Sequence, residues 1–272
     1  MKAETGHTGL RVVTSHEQRG VDVDRAQLSE DKYRELFGDP DTSVSEQDPE
    51  LMLILRRLIF GEVFHIGDLD DHTRELITIV VLTTLQTLPQ LRAHTAAALN
   101  IGVTPVQIRE AVYQCAPFIG FPRTLNAVAM INEVFTTRGI ALPLPPAGTV
   151  GEQDRYDKGR AIQFPIYGDE IAENMAELPD GLGSELARLL TESCFGDFYT
   201  REGLSVAQRE LLVLCVLATL GGTDAQLLPH AVGNLKVGIS KAMQLAAMVH
   251  CYPYIGFPRA VNAIRVIKNV EE

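Results

Sequence analysis

Glutamate and histidine recur as a pair in the two halves of this sequence. Glu75 precedes His94 by 19 residues, and Glu210 precedes His230 by 20. Each glutamate opens a strongly apolar stretch, where a partly buried carboxyl can donate or accept a proton near neutral pH. Imidazole titrates in the same range, so each pair is a candidate catalytic acid/base couple. The structural alternatives are a glutamate that stabilises a helix N-terminus and a histidine packed between helices.

Arginine and asparagine recur as a second set. Arg123 and Arg259 each follow a proline, and Asn126 and Asn262 stand three residues later. A proline in a first helical turn places the arginine where a cation opposes the helix dipole. Either a carboxylate ligand held by guanidinium and helix amides, or an ion pair with an acidic side chain, would explain the charge. These four residues are the predicted substrate-binding set.

The arginines lie within a stretch that occurs twice. Gln114–Ala127 returns as His250–Ala263, with nine of fourteen residues identical. A period near 136 residues indicates two duplicated domains rather than a solenoid. The first position of the stretch is glutamine in one copy and histidine in the other. His250 therefore joins the catalytic candidates, and we expect it to make the pocket of the second copy the better one.

The four cysteines raise the question of whether the protein has redox chemistry. Cys115 and Cys251 occupy matching positions, whereas Cys194 and Cys215 have no cysteine opposite them. A lone cysteine in an apolar helix is most often a small packing residue. A redox role for Cys115 or Cys251 is the alternative. One His and one Glu per copy are too few ligands for a metal site, so no metal or cofactor is expected.

Composition limits the function classes. The net charge of −11 argues against nucleic acid and anionic membrane surfaces as partners. Apolar runs such as Leu76–Leu85 are too short to span a bilayer. The stretch Met1–Arg25 lacks the apolar segment of a signal peptide. Cysteines without close spacing are typical of a reducing compartment, so a cytoplasmic protein is expected.

Helical signals dominate and no strand-type alternation occurs, so the predicted fold class is all-α. Asp70 is placed to cap a helix from about Thr73 to Leu88. Ser205 and Gln208 form a capping-box pattern before Glu210. Pro117 should kink the helix that precedes Gly120. The predicted organisation is a flexible arm (1–30), a first domain (31–139), a proline-rich linker (140–160) and a second domain (161–272), each domain with its own core.

Three motifs carry a family resemblance. They are R-E-L-I-T-I at 74–79, L-R-A-H-T-A-A-A-L-N-I-G-V-T-P-x-Q-I-R-E at 91–110, and F-I-G-F-P-R-x-L-N-A at 118–127. These resemble the carboxymuconolactone decarboxylase family, which has the alkylhydroperoxidase-D-like all-helical fold. The second copy resembles it through F-G-D-F-Y-T-R-E-G-L at 195–204, Q-R-E-L-L at 208–212 and Y-I-G-F-P-R at 254–259. The resemblance covers about residues 50–138 and 185–270.

The resemblance implies an activity without fixing it. The peroxidase branch of the superfamily has two cysteines between its glutamate and histidine, but these positions are Thr87 and Gln90 here, and Thr223 and Gln226 in the second copy. Thiol peroxidase chemistry needs both thiols, so we expect it to be lost. The decarboxylase branch converts a carboxylated muconolactone to an enol-lactone without a cofactor.

The leading interpretation is a cofactor-independent lyase or isomerase that acts by acid/base chemistry on a small carboxylate or lactone. The alternatives are a redox protein using the remaining cysteines and a duplicated scaffold that binds a ligand without turnover. Family members assemble as rings, with trimers of dimers common. A fused pair is therefore expected to form a homotrimer of six pseudo-equivalent units.

Overall fold

The computed structural model describes residues 24–38 and 47–271. Across these residues the regular secondary structure is helical and contains no strand, which confirms the all-α prediction. None of the helices in the described ranges is long and apolar enough to cross a membrane.

The first half of the chain, up to residue 139, forms helices α1 to α7. Their bounds are α1 Arg25–Phe37, α2 Pro49–Ile59, α3 Asp71–Leu85, α4 Leu88–Asn100, α5 Pro105–Gln114, the one-turn α6 Ala116–Ile119, and α7 Phe121–Thr137. A 3₁₀ turn, Val63–His65, lies between α2 and α3.

The second half, from residue 140 onward, repeats this order with local differences. Its helices are α8 Arg155–Tyr167, α9 Glu170–Met175, α10 Leu182–Leu189, α11 Val206–Leu220, α12 Asp224–Lys236 and α13 Lys241–Lys268. A π-helical segment, Leu190–Tyr199, continues from α10. This segment carries aromatic residues that reach the candidate site.

The helices that carry the two glutamates begin at the predicted caps. The Asp70 carboxylate accepts a hydrogen bond from the amide of Thr73 at 2.7 Å. Ser205 and Gln208 form the reciprocal capping box at the start of α11. Each cap satisfies backbone amides that the first helical turn leaves free. The caps therefore fix where α3 and α11 start, one turn ahead of Glu75 and Glu210.

The main hydrophobic core is shared by the two halves, so the expectation of a separate main core in each domain is wrong. A smaller buried cluster lies within the first half and consists of Leu36, Ile59, Phe60, Phe64 and Ala97. Every residue of Arg74–Thr84 in α3 and of Arg209–Thr219 in α11 is buried. A helix that is apolar on all sides must be covered on all sides. The helices α3 and α11 accordingly pack against each other at the centre, and α13 packs on both.

Two predicted boundaries need correction. Helix α1 begins at Arg25, because the Asp24 carboxylate caps it by accepting from the amide of Ala26 at 2.9 Å. The predicted arm (1–30) therefore overlaps a helix, and its residues 1–23 lie outside the described part of the chain. Helix α8 begins at Arg155, inside the predicted linker (140–160).

The linker is held to the body by hydrogen bonds. The carbonyl of Pro145 accepts from Arg109 at 2.8 Å, and the carbonyl of Ala147 accepts from the amide of Glu202 at 2.9 Å. The linker thus contacts both halves and helps to hold them together.

The predicted kink at Pro117 is a helix break that starts slightly earlier. Helix α5 ends at Gln114, and α6 begins at Ala116 with Pro117 in its first turn, where the missing amide costs nothing. In the second half the matching region stays within α13, which is kinked at Gly256 (φ +78°). Glycine adopts this left-handed conformation without a steric penalty.

Candidate active site

The Glu210–His230 pair is assembled as predicted and is extended by two tyrosines. Nδ1 of His230 lies 3.1 Å from Oε2 of Glu210. The Tyr167 hydroxyl donates to Oε2 of the same carboxylate at 2.6 Å, and the Tyr199 hydroxyl donates to Oε1 at 2.7 Å. Tyr167 ends α8 and Tyr199 ends the π-helical segment. Glu210 is fully buried, yet both of its carboxylate oxygens have donors.

This network determines how His230 can act. Burial, reinforced by the charge of Glu210, raises the pKa of Tyr167 and of Tyr199, so both phenols stay neutral donors. The Tyr167 oxygen also lies 2.7 Å from Nδ1 of His230. With the phenol proton directed to Glu210, Nδ1–H of His230 donates to these oxygens. The other ring nitrogen, Nε2, then remains to exchange a proton with a ligand.

His230 lines a cavity of about 380 Å³. That volume is in the range that holds small-molecule ligands. Helix α9 covers one side of the cavity, and Phe118 of the first half forms another wall. The residues lining it are Phe118, Gln163, Tyr167, Glu170, Ile171, Asn174, Met175, Leu190, Cys194, Phe195, Ala225, Gln226, Pro229 and His230.

The Glu75–His94 pair is also assembled, but without the tyrosines. Nδ1 of His94 lies 3.0 Å from Oε2 of Glu75, and both residues are buried. Phe37 packs edge-on against His94 at 5.4 Å, as Tyr167 does against His230 at 5.2 Å. Among the described residues, no hydroxyl donates to Glu75 as Tyr167 and Tyr199 do to Glu210. The two sites are therefore chemically different.

His250 belongs to the first site, so the expectation that it improves the second pocket is wrong. Its Nε2 lies 3.0 Å from Oγ1 of Thr78 and 3.0 Å from the carbonyl oxygen of Arg74. Its ring lies 5.2 Å from that of Phe64. The physical reason is the packing of α13 on α3, which carries the start of the repeated stretch to the opposite half.

Residues of the first half contact the second site in the same way. The side-chain oxygen of Gln114 accepts from Nη1 of Arg209 at 3.0 Å, one residue before Glu210. The Phe118 ring lies 5.7 Å from that of His230. At the first site Tyr254, also from the other half, lies 5.8 Å from His94. Each glutamate–histidine pair is thus completed by the repeated stretch of the other half.

His250 is poorly suited to donate a proton at neutral pH. Burial, with a smaller contribution from the nearby charge of Arg74, lowers the pKa of His250 to about 3. The imidazole is then neutral in the folded protein, and its Nε2–H can donate to the Arg74 carbonyl. We interpret His250 as a hydrogen-bonding wall of the first site, although the sequence grouped it with the catalytic residues.

The predicted substrate-binding residues lie elsewhere within this chain. Asn126 donates to the Gln86 side chain at 2.9 Å, and the Gln86 amide donates to the carbonyl of Arg123 at 2.9 Å. Gln86 follows the last residue of α3, and eleven residues of helix separate it from Glu75, a distance of about 16 Å. The expectation that the arginines and the Glu–His pairs share one pocket is wrong within the chain.

Arg259 and Asn262 show the same separation. Both line a cleft of about 250 Å³ at the end of α11, together with Gly221 and Thr223. The cavity beside His230 does not include them. Their role in binding a ligand stays a prediction.

A buried charge cluster joins the halves next to the second site. The carboxylate of Glu110 is fully buried and accepts from Arg201 at 2.8 and 3.0 Å and from Arg209 at 3.3 Å. Arg109 also contacts it at 3.2 Å. Its counterpart in the second half is Ala246, which packs against Gly67. This cluster is structural and holds Arg209 in place.

The cysteines lie in the interior of the fold. All four are free and buried. Burial raises the pKa of Cys115 and of Cys194, which keeps these thiols protonated and unreactive. Cys194 reaches the cavity wall, but Cys115 donates to the carbonyl of Ala111 at 3.4 Å and faces the core. In the described part of the chain, no group of three or more His, Cys, Asp or Glu is placed to hold a metal ion.

Sequence reasoning missed the tyrosines and the exchange between halves. A position-by-position comparison of the copies carries the signal: Tyr167 matches Phe37, and Tyr199 matches Phe64. A hydroxyl gained in one copy at a position near the predicted pair marks a functional difference. Nothing in the sequence alone, however, indicates that Gln114 and His250 cross to the opposite pair.

Comparison with known proteins agrees with the duplicated architecture. A model of the family described as "Carboxymuconolactone decarboxylase family" matches twice, over residues 49–133 and 184–269, which together exceed half of the chain. The two matched ranges fall within the predicted domains 31–139 and 161–272.

Individual relatives match about one copy at a time. The chain is 34% identical to 4-carboxymuconolactone decarboxylase from Acinetobacter baylyi over 99 residues, which cover 36% of this chain and 74% of the relative. It is 35% identical over 74 residues to nitrosuccinic acid decarboxylase from Metarhizium robertsii, covering 27% of this chain and 52% of that protein. An uncharacterized 15.0 kDa protein from Paracoccus denitrificans is 33% identical over 89 residues, which are 32% of this chain and 66% of that protein.

Proposed function

The chain belongs to the carboxymuconolactone decarboxylase family, and we propose that it is a cofactor-independent acid/base carboxy-lyase acting on a small carboxylated lactone or related acid. The observation that carries the proposal is the Glu210–His230 pair at the wall of a cavity large enough for such a molecule. Two relatives named as decarboxylases support a decarboxylase-like role at the level of the family.

The proposed step is a proton transfer that releases carbon dioxide. In a β,γ-unsaturated carboxylate, protonated His230 gives its Nε2 proton to the γ carbon of the double bond. The double-bond electrons form the new C–H bond, and the electrons of the bond to the carboxylate form the shifted double bond. Carbon dioxide leaves, and the products are neutral. Solvent then returns a proton to His230, while Glu210 balances the imidazolium charge during each cycle.

The apolar walls of the cavity favour the conversion of a charged carboxylate to neutral carbon dioxide. Phe118, Phe195 and Ile171 are among its apolar walls. An ionised carboxylate loses favourable hydration beside such walls, whereas neutral carbon dioxide does not. The apolar walls therefore destabilise the bound carboxylate more than the transition state, in which its negative charge is dispersed.

We assign turnover to the second site rather than to both. Glu210 accepts from two tyrosines, which hold it and His230 in one geometry. In the described part of the chain no tyrosine donates to Glu75, and its histidine is flanked by Phe37. A pair held in one geometry should catalyse faster than a pair that is free to move, because proton transfer requires the donor and the acceptor at a fixed distance and angle.

The test is a screen of carboxylated lactones and unsaturated acids with direct measurement of released carbon dioxide. His230→Gln is expected to lower kcat about 10²- to 10⁴-fold, with circular dichroism unchanged. The matched variant His94→Gln should retain most of the turnover. Full activity in His230→Gln rejects the assignment. A shifted double bond without carbon dioxide release would identify an isomerase.

The redox alternative has its own control. Because all four thiols are buried, the control is a variant in which every cysteine is replaced by alanine, and it should keep the decarboxylation rate of the unmodified chain. Loss of activity in Cys115→Ala or Cys251→Ala alone, with the circular dichroism spectrum unchanged, would support a thiol-dependent reaction instead.

A further inference from the structure

Among the described residues, the lining of the cavity beside His230 contains one group that can carry positive charge, which is His230 itself. This lining includes no lysine or arginine, and its other polar side chains are the amides of Gln163, Asn174 and Gln226, the carboxylate of Glu170, the Tyr167 hydroxyl and the Cys194 thiol. Arg259, the arginine that sequence analysis associated with substrate, lines a different cleft. Within residues 24–38 and 47–271, His230 is therefore the one side chain lining this cavity that can pair with an anion as a cation.

A second negative charge on the ligand would have no favourable position there. The rest of the wall is largely aromatic and aliphatic, as in Phe118, Phe195, Met175 and Leu190. A carboxylate placed against such side chains loses its hydration without compensation. A carboxylate placed near Glu170 meets a like charge. Both positions penalise a dianion relative to a monoanion.

The amide groups instead suit neutral polar atoms. Gln163 is buried, and its side-chain oxygen accepts from the Thr191 hydroxyl at 2.6 Å. This bond orients the amide and leaves its nitrogen to donate to a carbonyl oxygen, such as that of a lactone or ketone. Neutral carbonyl groups on the ligand can therefore be recognised at the wall where a second carboxylate cannot.

We propose that this site selects monoanionic acids with an apolar or aromatic body, and that Glu170 excludes dicarboxylates. This inference rests on the proposed function only in treating the cavity as the substrate site. The selected ligand has one carboxylate facing His230, an apolar body against the aromatic wall, and no second anionic group.

The test compares two probes that differ by one carboxylate. Cinnamate has one carboxylate on an unsaturated aromatic body, and 4-carboxycinnamate has two. Isothermal titration calorimetry of the full chain is expected to give at least about tenfold tighter binding for cinnamate, since about 1.4 kcal/mol corresponds to tenfold. Equal or tighter binding of 4-carboxycinnamate overturns the proposal, as does failure of cinnamate to bind at millimolar concentration.

Matched variants show which residues cause the difference in affinity between the two probes. Glu170→Gln should narrow the difference between the two probes by about fivefold, as removal of one partly exposed like charge predicts. Glu173→Gln lies on the same helix but outside the cavity lining, and it should leave the difference unchanged. His230→Gln should weaken cinnamate binding. Cinnamate binding that is insensitive to His230→Gln places the ligand elsewhere and also overturns the proposal.

These outcomes are separate from those of the proposed reaction. If cinnamate binds selectively but no acid in the screen releases carbon dioxide, the charge selection stands and the lyase assignment fails. If dicarboxylates are decarboxylated as efficiently as monocarboxylates, the lyase assignment stands and the charge selection fails.

Discussion

Nε2 of His250 lies 3.0 Å from Oγ1 of Thr78, so a side chain from the second half of the chain completes the site of the first half. The reverse exchange brings Gln114 to Arg209, beside Glu210. The halves are therefore not two independent domains joined only by a linker. They are two copies whose buried helices α3 and α11 form the common centre, and neither site is complete within one copy.

Separating the halves should consequently prevent folding. A fragment of residues 24–146 would expose the buried face of α3, and a fragment of residues 147–271 would expose that of α11. We expect neither fragment alone to show a cooperative thermal transition, because each loses the shared core. Co-expression should restore a complex with native helical content. Independent, cooperative unfolding of either fragment by circular dichroism would contradict the shared-core interpretation.

Tyr167→Phe should impair the second site by giving it the phenylalanine found at position 37. The phenol donates to the buried carboxylate of Glu210, and a hydrogen bond to a charged group contributes about 1.5–3 kcal/mol. We expect a loss of this order in the free energy of unfolding, measured in urea, and a decrease of kcat/KM by about tenfold or more.

The reciprocal change Phe37→Tyr is the matched control for Tyr167→Phe. It alters only the first site and should leave turnover close to that of the unmodified chain. An unaltered kcat/KM in Tyr167→Phe would show that the tyrosine is not needed to position His230.

Glu110→Gln should be among the most destabilising single changes. Glu110 is the carboxylate that compensates the fully buried Arg209, and removing one partner of a buried ion pair costs about 3–5 kcal/mol. Chemical denaturation should show a lower midpoint with a similar slope. Glu133→Gln removes the partner of Arg92 on the surface and is the control, with little expected change. Similar stability of both variants would rule out an energetic role for the cluster.

The predicted trimer of two-domain chains can be examined through apolar residues that stay exposed at matching positions of both halves. Phe121 and Phe257 are such a pair, with 64% and 62% of their surface exposed, and Leu51 and Leu186 are another. Recurrence of exposed apolar groups fits surfaces that meet other copies. Light scattering should give three times the chain mass, and Phe121→Ser with Phe257→Ser should reduce it. A monomeric mass for the unmodified chain refutes the prediction.

Local signals in the sequence predicted the helices well, and long-range relations less well. Capping patterns at Asp70 and Ser205 fix helix starts through bonds within four residues, so they can be read directly. The pairing of Glu210 with His230 also follows from a short helical hairpin. The placement of His250 depends instead on how α13 packs across α3, which no local pattern encodes.

The grouping of the arginines with the Glu–His pairs could not be checked from the sequence for a related reason. Arg123 and Arg259 belong to the same repeated stretch as residues that contact the sites. Each lies three residues beyond a glycine with positive φ, Gly120 or Gly256, at which the regular helix is interrupted. The tyrosines could have been found from the differences between copies, because the correspondence of Tyr167 with Phe37 is visible in the sequence.

His250 should make the stability of the protein fall as the pH decreases. The folded-state pKa of His250 is lowered to about 3 from 6.5 by burial, so only the unfolded chain binds the proton between these values. The free energy of unfolding contributed by this group is fully present above pH 6.5 and declines on acidification, by about 1.4 kcal/mol per pH unit below that value. At pH 5 the expected loss is about 2 kcal/mol.

His250→Gln is the informative variant for this pH dependence, because glutamine is the residue at the matching position 114 and does not titrate. Urea denaturation between pH 5.0 and 7.5 should show a smaller loss of stability on acidification in the variant than in the unmodified chain. The two curves should differ by about 2 kcal/mol in their change across this range. Replacement of the exposed His72 by Gln is the control and should preserve the slope of the unmodified chain. Parallel curves for the His250→Gln and unmodified proteins would mean that His250 accepts a proton in the folded state, which would restore it as a candidate proton donor in the first site.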